Sequence, residues 1–214
     1  PDRSGVGLYA RLEWLTKLLE SRVGSCVGAD GAIFAIRKHL FRLQSSSEIN
    51  DLALPLRVVE QGYRGVLQEE AFCFEESASE PEREFRRQVR ITTGTLNTLL
   101  HCRSLFNPFR HPFFSFQLFS HKGMKMLSPL FLGLALSCSA VTAFADTAGL
   151  TLFLVIAACL TGVIFLGRSP AEGKSITRGL RLGFTFLLAN AAIAKGWAGF
   201  LKRRPFSRWS PERA

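Results

Sequence analysis

The stretch LSPLFLGLALSCSAVTAFADTAGLTLFLVIAACLTGVIFLG, residues 127–167, decides the class of the C-terminal half, because its only charge is Asp146. A bilayer crossing takes about 20 apolar residues, so the run is long enough for two. Asp146-Thr147-Ala148-Gly149 is a short polar turn that divides it. The run therefore reads as a helical hairpin of 127–145 and 148–167, with Gly and Ser scattered where helices pack closely in lipid. Too few residues remain to wrap it as the buried core of a soluble protein. Its place in the second half of the chain argues against a signal peptide. A third segment, 182–201, is broken by Asn190 and Lys195 and reads either as a crossing or as an interfacial helix.

Charge is distributed around these segments. The chain carries 27 Lys+Arg against 17 Asp+Glu, net +10. Residues 1–126 account for +3 of this and residues 127–214 for +7. Arg168, Lys174, Arg178 and Arg181 follow the hairpin, and Lys202, Arg203, Arg204 and Arg208 follow the third segment. Such clusters suit anionic headgroups and the positive-inside bias, which places residues 1–126 and 168–181 in the cytoplasm. No recognition motif supports nucleic-acid binding. Phe113, Phe114, Phe116 and Phe119 interleave with the charge just before the hairpin, so 105–126 reads as an interfacial amphipathic segment, interrupted by Pro108 and Pro112.

Five cysteines without a Cys-x-x-Cys pair give neither a disulfide framework nor a zinc site, and Cys26, Cys73 and Cys102 read as small buried hydrophobes. The four histidines lack ligand spacing, so no metal is assigned.

In the N-terminal part, Leu8, Leu12, Leu15 and Leu19 are spaced for a helix. A glycine-punctuated loop, Val23 to Arg37, follows and runs toward a short strand or helix start; its glycines permit either a plain turn or close approach of a ligand. Asn50 caps a helix bearing Leu52, Leu56 and Val59 on one face, with Pro55 tolerated early and Asp51 at the positive end. Gly62 ends that helix, and residues 66–74 have the content of a strand. Arg86, Arg87 and Arg90 share one helical face, either a solvated surface or a phosphate clamp.

Taken in order, Gly-Ala-Asp-Gly-Ala-Ile-Phe-Ala-Ile-Arg (28–37), Asn-Asp-Leu (50–52), Gly-Tyr-Arg (62–64), Glu-Ala (70–71), Phe-Arg-Arg-Gln-Val-Arg-Ile (85–91), Leu-Phe-Asn-Pro-Phe-Arg (105–110) and Ser-His-Lys (120–122), followed by apolar helices, resemble the C-terminal half of a membrane-bound family 2 glycosyltransferase of the cellulose and hyaluronan synthase-like superfamily. The likeness covers about residues 13–209. It implies inverting transfer of a sugar from a nucleotide-sugar donor, a uridine diphosphate sugar above all, to a hydroxyl acceptor. Asp51 maps onto the general base, Arg87 and Arg90 onto donor diphosphate binding, and Gly28, Ala29, Asp30, Gly31 and Ala32 onto the acceptor side. The family's Gln and Trp positions are Arg87 and Ile91 here.

The expected fold class is an α/β partial GT-A-like catalytic half followed by an α-helical transmembrane region, mostly helical overall. The expected division is 1–104 for the acceptor-side half, 105–126 for the interfacial segment, 127–201 for the transmembrane region and 202–214 for a basic tail. The resemblance places donor binding and a divalent metal, Mg or Mn, in an N-terminal half not seen in this sequence, so the expected protein is truncated and inactive alone, with a separate donor-half chain as a partner. The competing expectation is a non-catalytic membrane protein, a degenerate remnant or a partner-docking module.

Overall fold

The computed structural model describes residues 8–71, 73, 81–166 and 175–202. Seven α-helices follow one another among them: α1 (Leu8–Val23), α2 (Asn50–Glu60), α3 (Pro81–His101), α4 (Pro112–Leu118), α5 (Met124–Thr142), α6 (Thr147–Leu166) and α7 (Ser175–Leu201). Among the described residues the structure is 73% helical with no strand or sheet, which overturns the expected α/β GT-A-like half. The segment expected as a strand shows why. The amide of Gly65 is taken by Ser25 Oγ and that of Leu67 by Ser21 Oγ, and the backbone pairing here is a single bond from Cys26 N to Gly65 O. Apolar content favours a strand only where a neighbouring strand accepts its ladder. Residues 72 and 74, also inside that expected segment, lie outside the described residues.

Helix α2 stops where its sequence directs but starts one residue earlier than expected. Ile49, not Asn50, occupies the capping position, and Asn50 is the first helical residue. At the other end Gly62 adopts φ 84°, open to glycine at no steric cost, and Gly62 N and Tyr63 N bond to Val59 O and Val58 O. The inner face of α2, Leu52, Leu56 and Val59, packs with Val27, Leu96, Leu99, Cys102, Leu105, Phe114, Leu118 and Met126 into one core. Cys26 and Cys102 are buried there as expected, and burial pushes the Cys102 thiol up to about 12. Cys73 is exposed, against expectation, because residues 66–71 form no strand to cover it.

Pro112 opens α4 at its first turn, where a missing N–H costs nothing. The chain then passes through a π-helical turn, Phe119–Gly123, into α5 without a break. Phe114 and Leu118 point into the core, while Phe109, Phe113, Phe116 and Phe119 are exposed. Three stretches are long and apolar enough to cross a membrane: Pro112–Thr142, Thr147–Leu166 and Gly179–Leu201. These mark the chain as a membrane protein. The α5–α6 turn is tight. Gly149 N donates to Asp146 Oδ1 at 2.6 Å, and a Cβ on Gly149 would stand 2.1 Å from the carbonyl oxygen of Thr142.

Candidate functional site

The site is organised by a proline. Pro55 lies inside α2 and has no N–H, so the carbonyl of Asp51, four residues earlier, has no helical partner. That carbonyl instead accepts the amide of Ala29 at 2.7 Å. The glycine loop is thereby pinned across the start of α2. Gly28 and Gly31 make the approach possible: a Cβ on Gly28 would lie 3.4 Å from Asp51 O, and one on Gly31 would lie 3.2 Å from Asp51 Oδ2. From α1, Lys17 donates to Ala29 O at 3.4 Å and reaches Asp30 at 3.9 Å. Asp30 in turn accepts the amide of Ala32 at 3.2 Å. All five loop residues expected on the acceptor side therefore gather around, or directly beside, the helix start that carries Asp51.

The membrane-proximal turn closes the other side. His121 Nδ1 lies 2.6 Å from Glu20 Oε1, and Glu20 Oε2 accepts the amide of Val27 at 3.1 Å. Gln117 donates to Ser25 O at 2.8 Å. The next residue, Lys122, passes its Cε within 3.9 Å of the position a Gly28 Cβ would take. The π-helical turn thus sends His121 to Glu20 of α1, which holds the loop amide of Val27, and Lys122 to Gly28 of the loop itself.

Electrostatically, Asp51 is the unusual group. Its Oδ1 is buried without a hydrogen-bond partner. Burial pushes its carboxyl above the ordinary range, Lys122 and Lys17 pull it back, and Asp30 adds a smaller push upward. A carboxylate oxygen buried without a donor is costly to maintain, and such groups concentrate at functional sites.

The arginines expected at the diphosphate lie elsewhere on the framework. Arg87 pairs with Glu84 at 3.3 Å on the exposed side of α3. Arg90 is half-buried on α3, eight residues, or about 12 Å along the helix, from Thr98, whose hydroxyl accepts the amide of Ile49 next to the start of α2. The geometry thus joins Asp51 to the glycine loop and leaves the arginines on another part of α3.

Beside the site a cleft of about 1710 Å³ opens between α1, the loop and α2, lined by Trp14, Lys17, Phe34, Leu54, Val58 and Tyr63 among others. Among the described residues no three His, Cys, Asp or Glu side chains come together as a metal site. Comparison of the chain with protein-family models, curated proteins and solved structures gives no match.

Sequence reasoning missed Glu20, His121 and Lys122 as parts of this cluster. Glu20 and His121 are 101 positions apart, and only the fold joins them.

Proposed function

We propose that this chain supplies the acceptor side of a membrane-bound glycosyl-transfer site, with Asp51 as general base. The observation that carries the reading is the Asp51 carboxylate: half-buried, raised in proton affinity, with one oxygen buried and unpartnered, and covered by a glycine loop. A base must be within hydrogen-bond reach of the hydroxyl it deprotonates, and its proton affinity is best set between that of an ordinary carboxylate and neutrality. In this reading the acceptor hydroxyl donates to Asp51 as its oxygen attacks the anomeric carbon, the bond to the nucleoside diphosphate breaks, and the proton stays on the carboxylate. The Gly28–Gly31 loop must shift to admit the hydroxyl. Lys17 and Lys122 favour the ionised base between turnovers. Arg87 and Arg90 carry the diphosphate role by resemblance alone, and a divalent metal, where bound, would offset diphosphate charge.

The test is sugar transfer from a panel of nucleotide sugars by membranes containing the chain, with a donor-binding segment supplied by fusion or as a second chain. Transfer that depends on both parts supports the reading. Robust transfer by the isolated chain, or none once the supplied segment is shown to bind donor, overturns it.

A second reading, a non-catalytic docking module, is favoured by one observation. Leu15, Ile33, Phe34, Tyr63 and Val66 are exposed and line the large cleft, as an uncovered protein interface would. Capture of a partner that is indifferent to Asp51→Asn would favour it.

A further inference from the structure

Helix α7 meets the hairpin at two places that lie equally far from its turn. Gly183 packs on Val163 of α6, where a glycine Cβ would come within 3.1 Å of Val163 Cγ1, and Trp197 donates its indole N–H to Met126 O of α5 at 2.9 Å. Met126 is sixteen residues from Thr142, and Val163 is sixteen from Thr147. At 1.5 Å per residue both contacts are about 24 Å from the turn, while Gly183 and Trp197 are about 21 Å apart along α7. A helix that touches both legs at one level, across such a separation, runs over the open end of the hairpin and not alongside it.

The covering of α7 gives the same orientation independently. Its C-terminal half packs on α3: a Cβ on Gly196 would come within 2.6 Å of Thr92, Thr93 Oγ1 donates to Gly196 O at 3.3 Å, and Lys195 Nζ lies 5.3 Å from the ring centre of Phe85. The N-terminal half of α3 carries exposed Glu82, Arg86 and Arg87, in ion pairs Arg86–Glu82 and Arg87–Glu84. Charges of this kind are expensive in hydrocarbon. The face of α7 turned from α3 is an apolar stripe at helical spacing, Leu187, Ala191, Ala194, Ala198 and Leu201, of which the last four are exposed.

We propose that α7 lies along the membrane surface on the same side as residues 8–126, with that stripe in the headgroup–acyl boundary of one leaflet, so that the described chain crosses the bilayer twice. The occupant of the stripe is lipid. Both hairpin legs descend from the level of α7, and Lys202, just past its C-terminal end, is exposed and can reach anionic phosphates. Length and composition alone permit a third crossing at Gly179–Leu201; packing against a charged helix and both hairpin legs argues for the surface.

The test is sidedness in the full chain. Single cysteines are introduced at Ser46, Asp146 and Lys202 after the native cysteines are replaced by serine or alanine, and each is labelled with an impermeant maleimide in right-side-out and inverted vesicles. The proposal expects Ser46→Cys and Lys202→Cys to react from one side and Asp146→Cys from the other. Reaction of Lys202→Cys together with Asp146→Cys would overturn it, as would reaction of all three from one side. As a readout that does not depend on replacing the native cysteines, tryptophan at Ala194 should be quenched by shallow lipid probes and spared by deep ones. Quenching strongest at the bilayer centre would overturn the surface placement.

Discussion

The carbonyl of Asp51 holds the amide of Ala29 at 2.7 Å because Pro55 offers no N–H to compete for it. One residue type in one helix thus fixes the loop that covers the carboxylate of another. Replacing Pro55 with alanine restores a competing donor and removes a proline from a helix interior, where it costs about 3 kcal/mol relative to alanine. We predict a more stable α2 with a looser loop. Hydrogen exchange should slow in residues 55–60 and quicken at 28–32; an unchanged loop would show that Pro55 does not set it.

The raised proton affinity of Asp51 has a stability consequence with a definite sign. A carboxyl whose folded value exceeds its unfolded value binds its proton more tightly in the folded state. Its contribution is most favourable below the unfolded value and is lost as pH rises through the window up to the folded value. Asp51→Asn removes the ionisation. The variant should melt higher than the parent at neutral pH in mild detergent, and the gain should vanish below about pH 3.9, the ordinary value for an Asp side chain. A variant that melts lower than the parent at neutral pH would contradict this.

Glu48 is fully buried, and both its oxygens bond to Arg57 Nη2, at 2.9 and 2.8 Å. Ser45 N also donates to it. Removing one partner of such a pair leaves a buried charge, at a cost of about 3–5 kcal/mol. Arg57→Ala should therefore lower the melting temperature sharply, and Arg57→Ala with Glu48→Gln should recover part of the loss. Equal melting of the single and double variants would mean that the orphaned charge is not the cause.

Gly196 allows α7 to touch α3. A Cβ there would meet Thr92 at 2.6 Å and the Val89 carbonyl at 3.2 Å, and backbone cannot yield as a side-chain tip can. Gly196→Val should cost about 1–3 kcal/mol, typical of overpacking, and expose α3 to hydrogen exchange. Paired cysteines at Thr93 and Gly199 should cross-link in the parent and not in the variant. Undiminished cross-linking would argue against this contact.

The hairpin was legible because an apolar helix satisfies its own backbone, but its turn lies at 143–146, about three residues before the expected 146–149, since Thr147 to Gly149 already belong to α6. The N-terminal half was harder to read. Periodicity found α1 and α2, but the strand expected over 66–74 rested on content that has meaning only beside a partner strand, and the amides of Gly65 and Leu67 went to serine side chains instead. Within the site, Asp51 was legible from its place at a helix start. Lys122 and His121 were visible only as part of a Ser-His-Lys run, because nothing local in the sequence records the π-helical turn that brings His121 to Glu20 of α1 and Lys122 to the glycine loop.

The central claim is that Asp51 takes the proton of an acceptor hydroxyl. Its most direct test is the rate of sugar transfer, in membranes where the chain is paired with a donor-binding segment, for the parent and for Asp51→Asn. The substitution keeps size and removes the acceptor, so the account predicts a loss of about 10²–10⁴ in rate with donor binding intact. Transfer by Asp51→Asn at the parental rate would contradict it.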